Sequence, residues 1–168
     1  MKKIAGLVIV GLLFAACQPN DAVSPYTGNQ TTYALSAASQ YPISGTVTFL
    51  ERKDGAVTVS VKLTGTSSGT ISPVHLHLGD IATPAAAVAA LLNPVDGKTG
   101  ISETRLAQLA DETPVTYQGL IKLNACIKVH LSDVGPERDV ILAAGNIGTA
   151  TTSSISSGRV GVAVCKSE

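Results

Sequence analysis

The stretch Pro73-Val74-His75-Leu76-His77-Leu78-Gly79-Asp80 decides how the chain is read. Side chains along an extended strand alternate between two faces. Val74, Leu76 and Leu78 then share one face and point into a core. His75 and His77 share the other face, roughly 6.5–7 Å apart along the backbone. Neutral imidazole is the commonest protein ligand of transition metals, so two on one face can hold one ion. The last of the 3 histidines, His130, lies in Cys126-Ile127-Lys128-Val129-His130-Leu131. That stretch alternates in the same way. Ile127, Val129 and Leu131 read as core, while Cys126, Lys128 and His130 face away.

The surroundings agree with strands. Ile43 to Leu50 alternates apolar with polar, and Lys53-Asp54-Gly55 supplies a hairpin turn. Val57, Val59, Val61 and Leu63 then alternate with Thr58, Ser60, Lys62 and Thr64. Gly65 to Ile71 reads as a loop. After Asp80, Thr83 followed by Pro84 predicts the start of a short helix running to Leu92 and stopped by Asn93-Pro94. Lys98 to Leu106 reads as a strand, and Tyr117 to Leu123 as one or two helical turns. Asp139 to Ile147 is a further strand, and Val160, Val162 and Val164 mark a last one. Short strands between small-residue turns predict a mostly β protein, an antiparallel β-sandwich with one or two short helices in its connections.

With 168 residues, 45% of them hydrophobic, the chain suits one domain with a sizeable core. A net charge of +0 and the absence of Trp offer neither a basic footprint nor a stacking platform, so no nucleic-acid partner is expected.

The N-terminus reads as an address. Met1-Lys2-Lys3 is basic, and Ile4 to Ala16 is apolar but too short to span a bilayer. Leu13-Phe14-Ala15-Ala16-Cys17 resembles a bacterial lipobox, although Phe14 departs from the usual aliphatic residue. The resemblance implies removal of residues 1–16 as a signal peptide and lipidation of Cys17. It also implies anchoring to the membrane of a bacterial cell envelope, the outer membrane being favoured by Gln18. Residues 17–40 are polar and small, and read as a flexible tether. The domain then occupies residues 41–168. With Cys17 lipidated, Cys126 and Cys165 remain as an even pair in a compartment that permits disulfides. A bond between them and two buried thiols are both open readings.

Several short motifs together resemble a CHRD (chordin-type) domain. They are Ser44-Gly45-Thr46-Val47, Gly55-Ala56-Val57-Thr58-Val59, Leu63-Thr64-Gly65 and His75-Leu76-His77. They continue with Thr113-Pro114-Val115-Thr116-Tyr117, Lys128-Val129-His130 and Ala144-Gly145-Asn146-Ile147-Gly148. The resemblance covers about residues 42–148. Ala125-Cys126 departs from it where the family carries an aromatic, as does the stretch from Asp139 to Gly148. The family's strand pattern resembles that of Cu/Zn superoxide dismutase. This implies an immunoglobulin-like or Greek-key sandwich in an envelope protein without an assigned activity.

His75-Leu76-His77 is similar to the first two copper ligands of the dismutase. That enzyme's copper site takes four imidazoles, so three histidines cannot rebuild it, and no enzyme activity is expected. Two functions stay open. The favoured one is a non-catalytic binding or scaffold lipoprotein with an unidentified protein partner. The other is a metal site for copper or zinc on His75, His77 and His130.

Overall fold

The computed structural model describes residues 23–151, Val162 and Ala163. Eight strands make up most of this chain. They are β1 (Tyr26–Ala37), β2 (Ser44–Arg52), β3 (Val57–Thr64), β4 (Ile71–Leu78), β5 (Val88–Asp96), β6 (Ile101–Leu106), β7 (Asn124–His130) and β8 (Ile141–Gly148). A single helical turn, α1 (Tyr117–Leu120), precedes β7, and a 3-10 turn at Pro136–Asp139 precedes β8. All neighbouring strands run antiparallel and follow one another as β1-β2-β3-β6-β5-β4-β7-β8 in a closed barrel. Strands β4, β5 and β6 are consecutive, and β7 returns to lie beside β4, which is a Greek-key connection.

The expected immunoglobulin-like or Greek-key sandwich is thus corrected to a closed barrel, and β1 is the reason. It pairs with β2 from Tyr26↔Arg52 to Leu35↔Gly45. Its last residues then cross to β8, as Ser36↔Ala144 and Ala37↔Ala143. Closure leaves neither terminal strand with a bare edge. The seam is tight at Gly145, where an added Cβ would collide with the carbonyl of Ala34. Residues 26–37 had read as tether because β1 is polar and mostly exposed. Its inward row is short: Thr31, Tyr33 and Leu35. Thr31 Oγ1 lies 2.7 Å from the Tyr117 hydroxyl, and the Tyr33 ring packs against Phe49 with centroids 5.7 Å apart.

The barrel interior is filled by the aliphatic rows that alternation predicts. Val57, Val59 and Val61 of β3, Val74 and Leu76 of β4, and Ile127 and Val129 of β7 all lie in one buried cluster. Leu78, expected in the core, lies at the end of β4 and is 41% exposed. The Tyr117 turn forms as expected, with the Thr116 side chain accepting from Gly119 N at 3.0 Å.

The helix expected from Thr83 to Leu92 does not form. Thr83 donates its hydroxyl to Asp80 at 2.9 Å instead of capping a helix, and Ala85 takes a positive φ of 49°. Residues from Val88 onward pair with β4, burying Ala89, Ala90 and Leu92. Asn93 and Pro94 together stand opposite Pro73 at a break in register, where a missing N–H costs the ladder little. Pairing and burial have overridden the helix propensity of an alanine-rich stretch.

Candidate metal centre

Strand β7 is buried on both faces. Ala125, Ile127 and Val129 face the interior, yet the outward-facing Cys126, Lys128 and His130 are also buried. Chain segments from either side cover this outer face. The loop after β4 lies over it, with Ile81 N donating to Asn146 Oδ1 at 2.7 Å and Ala163 N donating to Ile81 O at 2.8 Å. The loop between β7 and β8 returns through Leu131 N to Val140 O at 3.0 Å.

Beneath this cover the three histidines meet. Strands β4 and β7 are adjacent, in a register that sets His75 opposite Lys128 and His77 opposite Cys126. His130, two residues past Lys128, is therefore diagonal to His75. Ring centroids lie 4.6 Å apart for His75 and His130, 5.7 Å for His75 and His77, and 6.1 Å for His77 and His130. One nitrogen from each ring lies within 4.8 Å of the others. Zinc–imidazole bonds of about 2.0–2.1 Å in a tetrahedron set donors roughly 3.4 Å apart. Binding then needs the rings to swing inward by about 1 Å.

Backbone carbonyls orient two of the rings. His77 Nδ1 lies 3.0 Å from Ala86 O, and His130 Nδ1 lies 2.9 Å from Arg138 O. A carbonyl only accepts, so each Nδ1 carries the proton and each Nε2 keeps its lone pair. This is the outer hydrogen bond that metal-ligating histidines make. His130 Nε2 is buried without a hydrogen-bond partner among the described residues. Leaving a buried polar atom unsatisfied costs about 1–3 kcal/mol.

The rings are held neutral. Burial pushes His75 down to about 4, helped by the neighbouring His130, His77 and Arg138. Burial also pushes His77 down to about 4; Lys128 and His130 add to this, and the bond to Ala86 O opposes it. His130 is lowered, again by burial first, against the opposing effects of Arg138 O and Asp139. Neutral imidazole is the form that binds metal, so near neutral pH protons do not compete for these nitrogens.

His75 is the half-buried member. It opens on a groove of about 440 Å³ whose walls include Ile71, Pro73, Leu91, Leu131 and Asp133. The carboxylates near these strands stand outside the cluster. Asp80 accepts from Ala82 N and the Thr83 hydroxyl within its own turn, and Asp133 and Asp139 are exposed. Among the described residues, the group that can share an ion is the three imidazoles.

The structure brings together the three histidines singled out from the sequence. It also shows two things that no spacing revealed: the carbonyls of Ala86 and Arg138 that orient the rings, and the full burial of Lys128 beside them. Cys126 lies fully buried on the same outward face. Cys17, Cys165 and the signal segment 1–16 lie outside the described residues, as do Val160 and Val164 of the expected last strand.

The fold and site define a Greek-key β-barrel carrying a buried three-imidazole cluster on its outer wall. Compared with known proteins, the chain matches no family model and no curated protein.

Proposed function

We propose that this protein binds one transition-metal ion, copper or zinc, through His75, His77 and His130, in a domain presented from the bacterial envelope by a lipid on Cys17. The observation that carries the reading is the buried Nε2 of His130, which has no hydrogen-bond partner among the described residues and sits within reach of nitrogens from two more neutral rings. A metal satisfies that atom at no cost in proton release. The lipobox-like Leu13 to Cys17 and the CHRD-like motif order support the envelope setting. No catalytic role is assigned to any residue.

A second reading is a scaffold or adhesion module without a cofactor. It is supported by Ile71 and Leu91, which are 59% and 72% exposed on neighbouring strands of one wall.

Calorimetry on the metal-free chain separates the two. The metal reading predicts uptake of about one equivalent of Cu(II) or Zn(II), lost in His77→Ala. No uptake at micromolar metal rejects it.

A further inference from the structure

We infer that the three-histidine site favours copper in its monovalent state over divalent ions, and that buried Lys128 sets this preference. The inference rests on the metal-binding reading above.

Imidazole alone does not distinguish the candidates, since it suits both zinc and copper. The charge of the surroundings does. The ligand cluster is three neutral rings, with no carboxylate or thiolate among them. Beside it stands a cation. Lys128 is 0% exposed, directly opposite His75 and two residues before His130 on the same face. Its ammonium donates to an uncharged acceptor, Ala163 O, at 2.7 Å. Among the described residues the ion pairs are Arg52–Asp54 and Arg105–Asp54, and no described carboxylate pairs with Lys128. Asp139, a carboxylate in the turn before β8, is exposed to solvent, which screens its charge, whereas Lys128 is buried.

A divalent ion bound here doubles the repulsion from Lys128 relative to a monovalent one, because Coulomb energy scales with the product of charges. Burial limits how far water screens that difference.

The test uses the full chain, freed of metal and handled without oxygen. It measures affinities for Cu(I), by competition with a chromophoric chelator, and for Zn(II) and Cu(II). The inference predicts that the wild-type chain retains Cu(I) against an excess of Zn(II). Lys128→Met tightens Zn(II) and Cu(II) relative to Cu(I) by on the order of tenfold, and Lys128→Arg keeps the wild-type order. Displacement of Cu(I) by Zn(II), or an equal effect of Lys128→Met on all three ions, overturns the inference while leaving a metal site standing. A chain that binds none of the three overturns the metal-binding reading itself. If Lys128→Met does not fold, the wild-type competition and Lys128→Arg decide the matter.

Discussion

Acid should loosen the metal-free barrel well before Glu51, Asp54 and Asp111 titrate. His75 and His77 are held at about 4 in the fold, against 6.5 for an unperturbed imidazole. In the unfolded chain both rings take up protons as pH falls through about 6.5, whereas in the folded chain they resist until about 4. The unfolded state therefore binds more protons throughout that window, and stability declines with falling pH. Above it, stability is flat with respect to these groups. Within the window, each such histidine costs up to about 1.4 kcal/mol per pH unit. Solvent reaches His75 and weakens its share. The two together then remove about 2–3 kcal/mol between about pH 7 and pH 5. His130 adds to the loss in the same direction. Glu51, Asp54 and Asp111 lie below their ordinary values of 4.5, 3.8 and 3.8, so their contributions are lost only at more acid pH. Urea unfolding of the metal-free chain is the assay. For a slope of about 1–3 kcal/mol per molar, the midpoint falls by about 0.7–3 M between these pH values. His75→Gln combined with His77→Gln flattens the dependence. A wild-type midpoint that does not move between pH 7 and pH 5 refutes the burial of these rings.

Two further changes test the fold. Gly145→Val forces a side chain against the Ala34 carbonyl at the seam between β1 and β8. It should cost about 2–4 kcal/mol in chemical denaturation, with amide exchange rising first in β1; unaltered protection there argues against a closed barrel. Thr116→Ala removes the cap on Gly119 N and should cost about 1 kcal/mol, read as a lower urea midpoint with the slope unchanged.

How much of this was legible beforehand depended on where each instruction sits in the chain. The alternation in β3, β4 and β7 is local, and it set the interior rows, Leu78 at the end of β4 excepted, and put His75, His77 and His130 on shared outward faces. Closure was not legible. Strand β1 buries one short row, and its polar sequence resembles a tether until β2 and β8 are there to pair with it. Ala85 to Leu92 carried helix propensity, but the hydrogen bonds of β4 lie next to it and pairing won. The burial of the outward face was equally hidden. The groups that bond its side chains are the backbone carbonyls of Ala86, Arg138 and Ala163, and any residue type supplies a carbonyl.

The most direct measurement is the metal-edge X-ray absorption fine structure of the chain loaded with one equivalent of copper or zinc. Three imidazole nitrogens are predicted in the first shell, at about 2.0–2.1 Å for zinc, falling to two in His130→Ala. A shell without imidazole scattering, or one that His130→Ala leaves unchanged, contradicts a shared ion at these three histidines.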